Sequence, residues 1–214
     1  MRKYIPYLRP ILVVFIVLFI DQALKIWIKT HMFLGEEFSV FGNWFIIHFT
    51  ENPGMAFGFQ FGGDYGKLAL SMLRIVAVGL IGWYIFENVK KGAKTGFIIC
   101  ASLVLAGAIG NIIDSAFYGL IFSDSLFQVA QFLPEGGGYG TFLHGKVVDM
   151  FYFPILNGTF PEWLPLWGGE EYQFFRPVFN IADASISVGV VLVFIFQKKF
   201  FPQKEINKDT QIAE

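Results

Sequence analysis

The chain has 214 residues, of which 55% are hydrophobic and 19% aromatic, including 27 Phe; only 15% are charged and the formal net charge is −1. That balance is too apolar for an ordinary soluble domain of this size and gives no basis for nucleic-acid binding, so a membrane protein is expected. A single cysteine, Cys100, excludes an intramolecular disulfide framework and reads as a packing residue.

In chain order, the first apolar stretch covers about 11–28 and follows Arg2, Lys3 and Arg9. After "ILVVFIVLFI" come Asp21, Gln22 and Lys25 rather than a small-residue cleavage site, so it reads as a retained helix and not a removed signal peptide. Further stretches at about 68–86, 96–117 and 178–201 are each near the roughly 20 residues a spanning helix needs. The expected fold is therefore a membrane all-α bundle of four transmembrane helices forming one domain over 1–214.

The first connection, about 29–67, holds the β-prone runs 38–40 and 44–49, broken by Gly42-Asn43 and Asn52-Pro53-Gly54. The second, about 118–177, contains "EGGGYG", the strand-like "KVVDMFYFPI" and "WLPLW". A small extracytoplasmic β-sheet and loop region is expected there, with Trp163 and Trp167 either in the headgroup belt or packing a loop. The segment 202–214 reads as a flexible cytoplasmic tail.

Ten of the 16 Lys and Arg (Arg2, Lys3, Arg9, Lys90, Lys91, Lys94, Lys198, Lys199, Lys204 and Lys208) fall on one side of such a bundle. The positive-inside rule makes that side cytoplasmic, with both termini inside and both long connections outside.

With this topology, Asp21, Lys25, Asn52, Asn111, Asp114, Asp149, Asn180 and Asp183 all fall near the outer level, from every part of the chain except the second helix. Polar groups gathered at one depth suggest a site rather than scattered helix–helix contacts. Individually, Asp21 and Lys25 could neutralise each other at i, i+4, Asn52 could serve a turn, Asn111 and Asn180 could bond between helices, and Asp114 could cap a loop or support a site. Arg74 could pair with an acid or snorkel outward.

Asp149 and Asp183 lie in otherwise apolar runs, where an ionised carboxylate is costly. If they meet, they share a proton: one activates a water as general base and the other donates to a carbonyl oxygen, as in an aspartic protease. His31, His48 and His144 lack metal-ligand spacing, and there is no HExxH, GxSxG or Walker loop, so neither metal nor cofactor is expected. The rival is a small membrane transporter or proton-conducting protein relaying protons through these aspartates, although no inverted repeat or broken midplane helix supports it.

Five blocks, "DQALK" (21–25), "ENPGMAFG" (51–58), "GNIID" (110–114), "VVDMF" (147–151) and "FNIADASI" (179–186), make the sequence resemble the lipoprotein signal peptidases (signal peptidase II), aspartic proteases of the bacterial cytoplasmic membrane. The resemblance implies cleavage of diacylglyceryl-modified prolipoproteins on the amino side of the lipidated cysteine, with Asp149 and Asp183 as catalytic dyad. It implies Asp21, Lys25, Asn52, Gly54, Asn111, Asp114 and Asn180 as substrate-binding or supporting residues, membrane lipid as a partner, and inhibition by globomycin. Two departures stand out. Asp114 is followed by Ser115 where the family usually has Arg, with Arg176 as one substitute cation, and the outer segments 119–145 and 157–176 are longer than the family pattern. The loop 57–63 is expected to cover the site as a lid.

Overall fold

The computed structural model describes residues 5–53, 63–154, 156–174 and 178–201. Gly54, Arg176, all but the last residue of the 57–63 loop and the 202–214 tail lie outside the described residues.

Helix α1 (Ile5–His31) carries its apolar run almost uninterrupted, and Lys29 and His31 in its last turn complement the negative end of the helix dipole. Helix α2 (Gly63–Lys90) ends at Gly92, whose φ of 73° supplies the left-handed residue that terminates a helix cleanly. Helix α3 (Thr95–Ile113) continues into a π-helical turn (Asp114–Tyr118) and then a short α4 (Gly119–Ile121). Three helical stretches, Ile5–His31, Tyr65–Lys90 and Thr95–Ile121, are long and apolar enough to cross a membrane. The third of these is the most buried of the three.

The last apolar stretch differs from its expected form. Residues Val178–Phe179 are strand β6 rather than helix, because Phe151 and Tyr152 pair with them. Helix α5 (Ile181–Ile195) has 15 residues, about 22 Å at 1.5 Å per residue, and α6 (Gln197–Phe200) follows after a break at Phe196. Asn180 caps α5 by accepting the Asp183 N–H at 2.9 Å.

The expected small sheet is present. Strands β1 (Glu37–Phe41), β2 (Phe45–Asn52), β3 (Val147–Tyr152) and β6 form an antiparallel sheet in that order, with Thr50 opposite Asp149 and Asn52 opposite Val147. A separate hairpin pairs β4 (Leu156–Thr159) with β5 (Glu171–Phe174). Trp163 and Trp167 are exposed in the connection between those two strands. Strand β3 packs against α1 and the π turn, and β6 leads directly into α5, so strands and helix ends converge at one end of the bundle.

Helices α3 and α5 make the most extensive helix–helix contact, and small residues permit it. A Cβ on Gly107 would collide with the Ala182 carbonyl oxygen, and one on Gly189 would lie 2.7 Å from the Cys100 carbonyl oxygen. Cys100 is buried at this seam, in keeping with a packing role. Gly107→Val is expected to push α5 away from α3, lowering the Tm and displacing Asp183. Thermal unfolding in detergent with a parallel activity assay checks this; a variant with unchanged Tm and rate would show that the close approach is dispensable.

A buried candidate active site

At that end of the bundle lies a polar centre organised around the Lys25 ammonium, which is fully buried. Its Nζ lies 2.9 Å from Asp21 Oδ2, 2.9 Å from Asp114 Oδ2 and 3.0 Å from Asn111 Oδ1. Three acceptors match the three donors of an ammonium. The Asp21–Lys25 pair within one helix thus exists, but it belongs to a network that also includes α3 and the π turn. Gln22 Nε2 donates to Asp114 Oδ1 at 2.9 Å and Asp21 Oδ2 at 3.1 Å, and the Tyr118 hydroxyl donates to Gln22 Oε1 at 3.1 Å.

The remaining carboxyl oxygens reach outward. Asp21 Oδ1 accepts the Ala182 N–H at 2.9 Å, and Asp114 Oδ2 also accepts the Val148 N–H at 3.2 Å. These N–H groups belong to the residues immediately before Asp183 and Asp149. Each buried acid therefore holds the backbone beside one of the two candidate catalytic aspartates.

Two asparagines hold the carboxyls themselves. Asn111 Nδ2 donates to Asp183 Oδ1 at 2.8 Å, and Asn180 Nδ2 donates to Asp149 Oδ1 at 2.6 Å. Asn180 Nδ2 also lies 3.2 Å from Asn111 Oδ1 and 3.2 Å from the Val148 carbonyl oxygen. The two aspartates, from different elements, are thus joined through a pair of side-chain amides.

Their surroundings differ. Asp149 is only 4% exposed, and burial, followed by the charge of Asp183, pushes its pKa up to about 8. Asp183 is half-buried in the first turn of α5, where the helix dipole favours negative charge. Asn52 is half-buried at the end of β2, opposite Val147 and so close along the sheet to Asp149. Of the residues singled out from sequence, Asp21, Lys25, Asn111, Asp114, Asp149, Asn180 and Asp183 share one network. On the second helix, Arg74 is half-buried where its neighbours Met72, Leu73, Ile75 and Val76 are exposed.

Sequence reasoning missed Gln22 and Tyr118, although Gln22 lies within "DQALK". It also missed a second buried cluster one helical turn along α1. There Lys29 Nζ lies 2.5 Å from Glu51 Oε1 and 2.9 Å from Ser125 Oγ, and Lys146 Nζ lies 2.9 Å from Glu51 Oε2. The rings of Phe49, Phe122 and Tyr139 surround the Lys29 ammonium. Burial opposes ionisation of Glu51, but Lys29 and Lys146 outweigh it and hold its pKa below the usual range. The cluster ties α1, the end of β2 and the long second connection together beside Asn52. The i+4 spacing from Lys25 to Lys29 was the available signal.

Fold and site together define a helical membrane protein with a buried polar centre in which amides hold two carboxyls. Residues 13–199 match the family described as signal peptidase (SPase) II. The lipoprotein signal peptidase of Porphyromonas gingivalis is 55% identical over 181 residues, 84% of this chain and 78% of that protein. That of Amoebophilus asiaticus is 38% identical over 192 residues, 88% of this chain and 77% of that protein. A solved bacterial membrane enzyme has a similar fold, with a TM-score of 0.55 and 26% identity over 89% of this chain and 92% of its own. The chain belongs to the signal peptidase II family, and it is a peptidase.

Lys25→Met removes the cation shared by Asp21 and Asp114 while keeping an unbranched side chain. Leaving two buried carboxyls without it is expected to destabilise the fold by about 3–5 kcal/mol and to abolish cleavage. Thermal unfolding and a cleavage assay read both effects; a folded, active variant would remove Lys25 from the role assigned to it.

Proposed function

We propose that the enzyme removes signal peptides from diacylglyceryl-modified prolipoproteins on the amino side of the lipidated cysteine, with Asp149 and Asp183 as the catalytic dyad. The observation that carries this reading is the amide-linked pair of carboxyls in unequal surroundings, Asp149 buried with a pKa of about 8 and Asp183 at a helix N-terminus. Near neutral pH, Asp149 then carries a proton, and Asp183 is assigned the part of general base. Asp183 takes a proton from water as its oxygen attacks the scissile carbonyl, and Asp149 gives its proton to the developing oxyanion. Collapse of the tetrahedral intermediate expels the amine, which leaves with a proton from the dyad, and the acid product separates.

Asn111 and Asn180 keep the carboxyls aimed through this cycle, and Lys25, Asp21 and Asp114 hold the backbone beside them. Asn52 and Gly54 are assigned to substrate binding. The whole chain forms one peptidase domain in the bacterial inner membrane. It crosses four times, α5 and α6 together forming the fourth span, with both termini cytoplasmic and the dyad near the outer face. A prolipoprotein anchored by its diacylglycerol and apolar signal helix presents its scissile bond at that level. The exposed Trp163 and Trp167 suit the headgroup region there, lipid acyl chains fill the grooves between helices, and a globomycin-type peptide competes with substrate for the dyad.

Asp149→Asn and Asp183→Asn are each expected to reduce cleavage of a diacylglyceryl-modified prolipoprotein by at least about 1,000-fold without loss of folding. A gel-shift assay with purified protein measures this, and near wild-type cutting by both variants would end the dyad reading. The wild-type rate is expected to fall as pH rises through about 8, because Asp149 then ionises and the acid is lost. A rate still climbing well above that pH would contradict the assignment of the proton to Asp149.

A further inference from the structure

The block that contains Asn52 begins with Glu51, a charged residue to which the proposed chemistry gives no task. Its side chain is only 2% exposed. Oε1 accepts from Lys29 Nζ at 2.5 Å and from the Ser125 hydroxyl at 3.3 Å, and Oε2 accepts from Lys146 Nζ at 2.9 Å. Helix α1, the second connection and the residue that leads into β3 therefore meet on one carboxylate. The backbone supports the same junction. The Ala130 N–H donates to the Lys29 carbonyl at 3.1 Å, the Leu34 N–H to the Ser125 carbonyl at 2.9 Å, and the Lys146 N–H to the Tyr139 hydroxyl at 2.7 Å. A carboxylate with charge-assisted partners on both oxygens is held in one geometry.

The end of β2 needs such an anchor. Strand β1 pairs with β2 only as far as His48, and Gly35 and Glu36 take up the backbone groups of Phe49. Among the described residues, β3 is the only strand beside Thr50, Glu51 and Asn52. Asn52 is the last residue of β2, and Pro53, which has no N–H to extend the ladder, follows it. The last pair of a ladder with a neighbour on one side frays most readily. Glu51 also faces away from the chemistry. Opposed residues of antiparallel strands project to the same face, so Thr50, Asn52, Val147 and Asp149 share one face, and Glu51 and Val148 share the other. Glu51 therefore acts on a bound peptide through the strand it holds.

We propose that Glu51 is a positioning residue for substrate binding: held by Lys29, Ser125 and Lys146, it fixes the last residues of β2 so that Asn52 meets the incoming prolipoprotein in one place. The inference rests on the assignment of Asn52 to substrate binding. The second connection thereby takes part in binding through Ser125 and Lys146. Without the carboxylate, the end of β2 must be ordered by the substrate as it binds, which weakens binding and leaves the chemical step unaltered.

The test is steady-state cleavage of a diacylglyceryl-modified prolipoprotein by the full-length enzyme. Wild type is compared with Glu51→Gln, Lys146→Met, Asn52→Ala and the double variants that combine Asn52→Ala with each of the other two. Glu51→Gln is expected to raise KM by about tenfold while kcat stays within about twofold of wild type. Lys146 is 33% exposed, and its loss leaves the pair of Lys29 and Glu51 in place. Lys146→Met is therefore expected to raise KM by about threefold, and it decides the question if the glutamine variant fails to fold. In the Asn52→Ala background neither substitution is expected to raise KM further, because the group they position is gone. A folded variant with wild-type KM, a loss confined to kcat, or a rise in KM that multiplies in full on that of Asn52→Ala overturns the proposal. Asn52→Ala alone separates the two claims: if it leaves KM unchanged, the assignment of Asn52 fails, and if it raises KM while the Glu51 and Lys146 variants do not, only the role of Glu51 fails.

Discussion

A single buried ammonium, that of Lys25, is the charge on which the geometry of this enzyme depends. Removing an ammonium and two carboxyls from water costs several kcal/mol for each ion, and only close, fully satisfied contacts offset that cost. Here the contacts are complete: three acceptors at 2.9–3.0 Å surround Lys25 Nζ, and Gln22 fills further acceptor positions on both acids. What makes the centre more than a stable pair is the use of the remaining carboxyl capacity. Asp21 takes the N–H of Ala182 and Asp114 that of Val148, so α5 and β3 are both referenced to the same cation. Two chain segments more than 30 residues apart are thereby set against each other at the two positions where the chemistry is proposed.

The surrounding fold is shaped to admit this centre. A Cβ on Gly110 would lie 2.7 Å from Asp21 Oδ2, so the glycine before Asn111 makes room for the acid that grips α5. The π-helical turn that follows α3 departs from regular α-geometry where Asp114 and Tyr118 must both face α1, and such turns commonly mark functional positions. One helical turn beyond Lys25, Lys29 repeats the same device for a different purpose. It binds Glu51, which also holds Lys146, and so fastens the end of β2 and the long second connection to α1. One face of α1 thus organises the inner site through Lys25 and the loops above it through Lys29.

Electrostatic asymmetry follows from this arrangement. Asp149 lies on a strand, almost without solvent, while Asp183 lies half-buried in the first turn of a helix and receives an amide N–H from Asn111. Two chemically identical side chains therefore sit in unlike surroundings, burial on one side and a helix dipole on the other, which suits the opposite tasks proposed for them.

Much of this was legible in the residues. Long apolar runs must be helical in a membrane because no water is present to satisfy an open backbone, so three helices could be read from hydropathy alone. Strands β1, β2 and β3 of the small sheet were visible through their β-prone runs and turn residues. Carboxylates and amides stranded in apolar runs were conspicuous because burial without partners is costly. The start of the last helix was not legible: Val178 and Phe179 are equally apolar as strand or helix, and only their pairing with Phe151 and Tyr152 decides between the two. Gln22 and Tyr118 were equally silent, since each is ordinary in its local context and gains a role only from a partner distant in the chain, and the Glu51 cluster showed only in the i+4 spacing of Lys29 from Lys25. The sequence by itself determined that this is an apolar bundle with buried charges near one end. Only the tertiary structure decided which charges face one another, because electrostatic and hydrogen-bonding partners are set by distance in space, and local pattern carries no information about that distance.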